Sequence, residues 1–167
     1  MQEAKSLIRD LDLQAHPEGG YFREVYRSRE IISKTALDVG YSGDRNICTS
    51  IYFLLTSDTF SAFHRIRQDE IWHYYSGSAV RVYMIDEQGK YGYLDIGPDL
   101  SAGQTFQAVI PAGSWFGAKV KDPDSYVLVG CTVSPGFDFV DFELAKREEL
   151  IQKYPQHKEI IDQLTRV

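Results

Sequence analysis

Apolar and polar residues alternate along most of the chain, from residue 46 to residue 144. Short runs rich in Tyr, Phe, Val and Ile are separated by turn segments such as DEQGK, GPDLSAG, PAGS and KDPDS. This alternation predicts half-buried β-strands, with one further strand at 21–28, YFREVYRS. Many short strands at such spacing predict an all-β antiparallel barrel or jelly roll.

Helical spacing of apolar residues is found only near the two ends of the chain. It predicts a short amphipathic helix over 3–12 and two C-terminal helices over 143–153 and 156–165. The segment 33–45 carries Gly40, Ser42, Gly43 and Asp44, which indicate a loop, with a mobile flap as one interpretation. No repeat, low-complexity tract or linker divides the chain, so residues 1–167 are predicted to form one domain.

Composition narrows the function classes. The chain has 167 residues and a formal net charge of −6 without a Lys/Arg cluster, which argues against a nucleic-acid surface. No apolar stretch reaches the ~20 residues of a membrane span, and no signal peptide is recognised at the start. Cys48 and Cys131 lie in strand-like runs and are interpreted as buried free thiols, with a disulfide as the alternative. We therefore expect a cytoplasmic protein.

The segment SAFHRIRQDEIWHYYSG, residues 61–77, contains most of the candidate acid/base and metal-ligating residues. His64, Glu70 and Gly77 form the pattern H-x5-E-x6-G, and PAGSWF follows at 111–116. Together they resemble the paired motifs of the cupin superfamily. The segments HPEGGYFRE, FHRIRQDEIWHYYSG, PAGSWFGA and SYVLVGCTVSPGFDFVDFEL also resemble, in order, a small cupin family of unknown function.

The resemblance implies a cupin-type jelly roll, a ligand cavity in the barrel and a homodimer completed by exchanged N-terminal strands. It implies no known reaction. The dTDP-sugar epimerases, which need no metal, are the related cupins with the nearest known function.

The metal-binding pattern of cupins is incomplete here. The pattern has a second His two residues after the first, where this chain has Ile66, and a His in the second motif, where it has Phe116. Catalytic metal sites normally provide three protein ligands. Strand alternation places His73 on the face opposite Glu70 unless a β-bulge intervenes. No cofactor is therefore expected, and a divalent metal on His64, Glu70 and His73 stays an alternative.

Without a metal, His64 is predicted to act as a general base, with Glu70 as its orienter or as a second acid/base group. The structural alternative is a hydrogen-bonded barrel histidine beside a paired, buried carboxylate. A buried carboxylate near an imidazole is costly, and such pairs mark functional sites more often than structural ones.

Five further residues are candidates for substrate binding. Four are aromatic, and they either line the pocket or pack in the core. The fifth, Arg23, either pairs with an anionic ligand or with Glu70, or it lies at the surface or in a dimer contact. His16 in HPEGG is interpreted as a turn residue rather than a catalyst. The aromatic candidates are Trp72, Tyr74, Trp115 and Phe116.

These residues favour a metal-independent epimerase- or isomerase-like enzyme acting on a sugar-like or small polar metabolite. Two alternatives stay open: a cupin that binds a sugar or nucleobase without chemistry, and a metal-dependent cupin enzyme. The fold does not decide among them, because one scaffold supports many chemistries.

Overall fold

The computed structural model describes residues 1–166, which contain thirteen β-strands and three α-helices. The first strands are β1 Gln14–Ala15, β2 Tyr21–Arg27, β3 Ile31–Ile32, β4 Arg45–Asn46, β5 Thr49–Thr56 and β6 Ser61–Arg65. They are followed by β7 Asp69–Gly77, β8 Val80–Ile85, β9 Tyr91–Ile96, β10 Gln107–Ile110, β11 Trp115–Val120, β12 Tyr126–Ser134 and β13 Glu143–Leu144. The helices are α1 Gln2–Asp10, α2 Arg147–Lys153 and α3 Lys158–Gln163.

Two antiparallel sheets face each other. The first has the strand order β1-β2-β5-β12-β7-β10 and the second β13-β6-β11-β8-β9, while β3 and β4 form a separate pair. From β5 to β12 the chain passes back and forth between the two sheets, with only the β8–β9 hairpin staying within one of them. This is a jelly roll, so the predicted fold class is confirmed.

The main core lies between the sheets, where alternate residues of the facing strands meet. Phe53, Trp72, Val82, Phe116 and Val129 are almost completely buried in it. In each of these strands the apolar inner residues alternate with residues of the opposite face, as the sequence pattern predicts.

The predicted N-terminal helix is confirmed as α1, which covers part of the outer face of the first sheet. Ala4 packs there with Leu54, Tyr126 and Leu128. None of the helices in residues 1–166 has the length and apolar character that crossing a membrane requires.

The C-terminal helices cover the outer face of the second sheet. Leu150 of α2 and Ile161 of α3 pack against Phe63, Ile85 and Trp115. The first of these helices begins later than predicted, because residues 143–144 instead form β13 and pair with Arg65 and His64 of β6.

The loop 33–45 is anchored at its base. The pairing of β3 with β4 closes its base. The buried Arg45 side chain forms two hydrogen bonds with Asp141, from Nη2 to Oδ1 at 2.7 Å and from Nε to Oδ2 at 2.8 Å. The loop is therefore tied to the segment 137–142, which lies over one end of the barrel.

Candidate functional site

A cavity of about 320 Å³ opens between the two sheets. This volume is at the lower end of the range for small-molecule sites. Most of its wall comes from β2, β5, β7 and β12 of the first sheet, with His64 and Ile66 opposite and the segment 137–142 above. Its lining is His16, Glu18, Phe22, Glu24, Arg27, Thr49, Ile51, Phe53, His64, Ile66, Glu70, Trp72, Cys131, Val133, Phe137, Asp138, Phe139 and Phe142.

His64 is held at both ring nitrogens. Nε2 lies 2.9 Å from Oε2 of Glu18, and Nδ1 lies 2.7 Å from the carbonyl oxygen of Ala62. A carbonyl only accepts, so Nδ1 carries a hydrogen. Burial lowers the pKa of an imidazole, but the charge and hydrogen bond of Glu18 outweigh this and raise the pKa of His64. The imidazolium form is therefore favoured.

Glu18 is the carboxylate that orients His64, and no strand pattern of the sequence marks it as a site residue. Burial alone raises the pKa of a carboxyl, but the charge and hydrogen bond of His64 outweigh this and lower the pKa of Glu18. Ser61 Oγ donates a further hydrogen bond to Oε1 at 2.7 Å. His64 and Glu18 thus form a buried ion pair.

The turn after Glu18 positions its side chain inside the barrel. Gly19 and Gly20 have φ angles of 114° and 75°, a conformation that side chains rarely adopt. A Cβ atom on Gly19 would lie 2.2 Å from the carbonyl oxygen of Phe60, so only glycine fits. The sequence HPEGG is typical of a turn, but nothing in the local sequence indicates which way its glutamate points.

Glu70 lies in the same cavity but contacts different groups. Its Oε1 accepts a hydrogen bond from Nε1 of Trp72 at 2.9 Å, and the thiol of Cys131 lies beside the carboxyl. Burial raises the pKa of Glu70 to about 7, with a further contribution from the negative charge of Glu18. Of the two roles predicted for Glu70, the contact that would orient His64 is made by Glu18 instead. Glu70 therefore lies in the cavity as a carboxyl separate from the His64–Glu18 pair.

His16 forms part of the turn, as predicted, and its ring also lines the cavity. Its carbonyl accepts a hydrogen bond from the Gly19 N–H at 3.0 Å. The ring packs against Phe22 with a centroid distance of 4.6 Å, and Phe53, Phe139 and Phe142 lie within 6.3 Å of it. Burial lowers the pKa of His16, which favours the neutral imidazole.

Of the predicted binding residues, Trp72 lines the cavity and four others lie elsewhere. Trp115 is beneath the C-terminal helices, because its side chain points to the outer face of β11. Phe116 points inward but packs in the core, with its ring centroid 4.0 Å from that of His64. Tyr74 packs at the edge of the core and donates to the Gly77 carbonyl. Arg23 is exposed and donates to the Leu11 carbonyl.

His73 lies outside the barrel, which separates the predicted alternative metal ligands. Its Nε2 is 3.2 Å from Oγ1 of Thr132 on the outer face of the first sheet. The irregularity in the pairing of β7 with β12 falls beyond Tyr74, too late to turn His73 inward. Within residues 1–166, no three His, Cys, Asp or Glu side chains are arranged to hold a metal ion. Because both nitrogens of His64 are also engaged, these residues do not fit the metal found in many cupins.

Comparison with known proteins agrees with this architecture. Residues 5–145 match the family model described as Cupin superfamily (DUF985). The crystal structure of protein SO0799 from Shewanella oneidensis is 42% identical, covers 99% of each chain and gives a TM-score of 0.87. A hypothetical protein from Leishmania major is 35% identical with a TM-score of 0.89, over 98% of this chain and 99% of its own. The uncharacterized protein YML079W of Saccharomyces cerevisiae is 32% identical over 154 residues, 87% of this chain and 76% of its own.

Proposed function

The chain belongs to the DUF985 family of the cupin superfamily, and on this premise we propose that it is a proton-transfer enzyme of the epimerase or isomerase type. Its substrate is a small polar metabolite bound in the barrel. The observation that carries this proposal is the Glu70 carboxyl, which lines the cavity with a pKa raised to about 7. A carboxyl with such a pKa both removes and returns a proton near neutral pH.

The proposed reaction needs a carbon acid, such as the C–H group beside a carbonyl. Ionised Glu70 takes that proton, and the electron pair left on carbon delocalises onto the carbonyl oxygen. Return of a proton to the same carbon from the opposite side, by a second acid/base group, gives an epimer. In a hydroxyketone, return of the proton to the former carbonyl carbon gives an isomer, because the neighbouring hydroxyl gives up its proton and becomes the new carbonyl while the former carbonyl oxygen becomes a hydroxyl. Proton transfer by a positioned side chain typically contributes about 10²–10⁴-fold to the rate.

In this proposal the His64–Glu18 ion pair positions the site and does not transfer the proton. Both ring nitrogens of His64 already contact protein acceptors. The negative charge of Glu18 contributes to the raised pKa of Glu70. His16 is the second candidate acid/base group, because burial favours its neutral form and its ring lines the cavity.

The test is hydrogen exchange in D₂O. Purified protein is incubated with a panel of hydroxyketones, ketoses and aminoketones, and loss of the C–H signal beside the carbonyl is followed by proton NMR. We expect exchange by the wild type and a loss of about 10²-fold or more in Glu70→Gln. Glu149→Gln is the matched control, since Glu149 is exposed and paired with Lys146. Equal exchange by wild type and Glu70→Gln would contradict the proposal.

A second candidate function is binding without chemistry, and the aromatic lining favours it. Phe22, Phe53, Trp72, Phe139 and Phe142 present a large apolar surface to any occupant. Such walls are typical of binding pockets that need no reactive group. A ligand that raises the melting temperature and is recovered without deuterium incorporation would support this candidate over the enzyme.

We also propose that two copies pair through the outer face of the first sheet. Val25, Tyr26, Tyr75 and Val109 are each about half exposed on the strands of this sheet. Since β2 already pairs with β5 of its own chain, this dimer requires no exchange of N-terminal strands. Light scattering of the wild type and of Tyr75→Glu tests the proposal: a monomeric wild type, or a variant that dimerises equally well, contradicts it.

A cytoplasmic location is the remaining part of the proposal. It is supported by Cys48 and Cys131, which are free thiols. Recovery of the protein in the cytoplasmic fraction of the source cells would agree with it, and recovery with an exported fraction would not.

A further inference from the structure

The positive groups that line the cavity are paired with carboxylates, whereas some of the acidic groups are not. This difference affects which ligands the cavity can bind. Arg27 is the single arginine in the lining, and the lining contains no lysine. The guanidinium of Arg27 forms a bidentate pair with Glu24, from Nε to Oε1 at 2.8 Å and from Nη2 to Oε2 at 2.7 Å. It also donates to Asn46 and to the Phe137 carbonyl. A phosphate or carboxylate would therefore have to displace Glu24 to reach it.

The second positive charge, His64, is equally engaged. Its two nitrogens contact Glu18 and the Ala62 carbonyl. Each cation of the lining thus already has its own carboxylate, and no donor fork remains for an anionic ligand.

Within residues 1–166, two acidic groups of the lining form no salt bridge. Glu70 is hydrogen-bonded to Trp72 and lies beside the thiol of Cys131, with the charge of His64 acting on it only at longer range. The Asp138 carboxylate accepts a hydrogen bond from the Val140 N–H, and its charge also acts at longer range on Arg27. Glu18, Glu24 and Asp138 already outnumber Arg27 and His64, so the lining carries an excess negative charge that increases when Glu70 ionises.

Aromatic rings surround these acidic groups. Phe22, Phe53, Trp72 and Phe142 line the cavity. Ring faces attract cations through their quadrupole, and the attraction is strongest where water is excluded. Aromatic walls combined with unpaired carboxylates are the chemistry that recognises organic ammonium groups.

We propose that the cavity selects a small organic cation, such as an amine-bearing substrate, and rejects phosphorylated and carboxylated compounds. The inference rests on the proposed function, because it names the substrate class of the same cavity. It separates this chain from the dTDP-sugar epimerases, the related cupins with the nearest known function, since a dTDP-sugar carries a diphosphate.

Three probes of one shape and different charge test the inference: choline, its neutral analogue 3,3-dimethylbutanol, and the anion 3,3-dimethylbutanoate. Dissociation constants are measured at pH 8 by ligand-observed NMR on the full chain. We expect choline to bind at least about tenfold more tightly than the carboxylate, with the alcohol between them. Tighter binding of the carboxylate, equal binding of all three, or no saturable binding of choline would overturn the proposal.

Two variants identify the groups responsible. Glu24→Gln removes the charge that neutralises Arg27, so the preference for choline over the carboxylate should fall by about tenfold. Glu149→Gln, far from the cavity, should leave the order of affinities unchanged. If Glu24→Gln behaves like the control, the pairing of Arg27 with Glu24 does not set the selectivity and the proposal fails.

The pH dependence of binding provides a further check. Glu70 faces Glu18, His64, Cys131 and Trp72, and its ionisation adds negative charge to the lining. Choline binding should therefore strengthen between pH 6 and pH 8 in the wild type and stay flat in Glu70→Gln. Proton exchange in D₂O is measured separately. Preferential binding of the anion together with Glu70-dependent exchange would refute the cation proposal alone, and the reverse result would refute the enzyme proposal alone.

Discussion

Two buried carboxyls in one cavity, Glu18 and Glu70, have pKa values that move in opposite directions. Glu18 has a cationic neighbour within hydrogen-bonding distance, and its pKa is lowered. Glu70 has an indole N–H and a thiol instead, and burial together with the charge of Glu18 raises its pKa to about 7. Burial is similar at both sites, so the nearest partner decides which carboxyl is a fixed charge and which exchanges protons.

Removing Glu18 should cause the largest change in the free energy of unfolding. Glu18→Ala leaves His64 buried without its counterion, and loss of one partner of a buried pair costs about 3–5 kcal/mol. Urea unfolding at pH 6 measures this as a lower free energy of unfolding. Because His64 relieves the cost by losing its proton, the loss should be smaller at pH 8. Glu149→Ala, at an exposed position, should change stability by less than about 0.5 kcal/mol. A similar small change in Glu18→Ala would refute the buried ion pair.

Neutralising Glu70 should have the opposite effect on stability. The pKa of Glu70 is raised from 4.5 to about 7 on folding, so between these values the folded protein binds more protons than the unfolded chain. Wild-type stability should therefore fall as pH rises through this window, by about 3 kcal/mol from this group.

Glu70→Gln mimics the protonated carboxyl and removes this contribution. The variant should be about 3 kcal/mol more stable than the wild type at pH 8 and close to it at pH 4.5. Urea unfolding at several pH values, with Glu149→Gln as the control, measures the difference. A variant that is less stable than the wild type at pH 8 would show that Glu70 is paired in a way the structure does not contain.

A smaller loss of stability is expected when the hydroxyl that donates a hydrogen bond to Glu18 is removed. Ser61→Ala removes a buried hydrogen bond of 2.7 Å to the Glu18 carboxylate, and hydrogen bonds to charged groups are worth about 2 kcal/mol. The free energy of unfolding should fall by this amount. Ser101→Ala removes an exposed hydrogen bond to Asp99 and should have little effect. Equal effects in the two variants would mean that Glu18 does not depend on Ser61.

The smallest expected effect is a shift in the pKa of Glu70 when its hydrogen-bond donor is removed. Trp72→Phe removes the indole donor that stabilises the ionised carboxyl, so the pKa of Glu70 should rise further. Carbon-13 NMR titration of the glutamate carboxyls measures this, with the Glu70 signal identified by its absence in Glu70→Gln. A downward shift would contradict the assigned role of Trp72.

The fold could be predicted from the sequence because strand alternation is a local signal. The inward position of Trp72 and the outward side of His73 on β7 follow from period-two spacing. On β12 the residues of both faces are buried, so burial does not distinguish its inner face. The site was predictable only where its residues lie on such strands, as His64, Glu70 and Trp72 do.

The remaining residues depend on contacts between distant segments. Glu18 and His16 belong to a turn, where no periodicity indicates the direction of a side chain. Trp115 was assigned to the pocket because it is aromatic, but the C-terminal helices bury it on the opposite face. No local pattern of β11 indicates that its outer face is covered.

The position of the Gly19-Gly20 turn in the chain has an evolutionary consequence. The eight strands from β5 to β12 form the jelly roll, and Glu18 is supplied by a segment that precedes all of them. A lineage can therefore acquire, alter or lose the counterion of His64 by changing a short N-terminal segment, without mutating the barrel. Relatives that share this scaffold and differ at HPEGG are expected to have diverged in chemistry while keeping the same architecture.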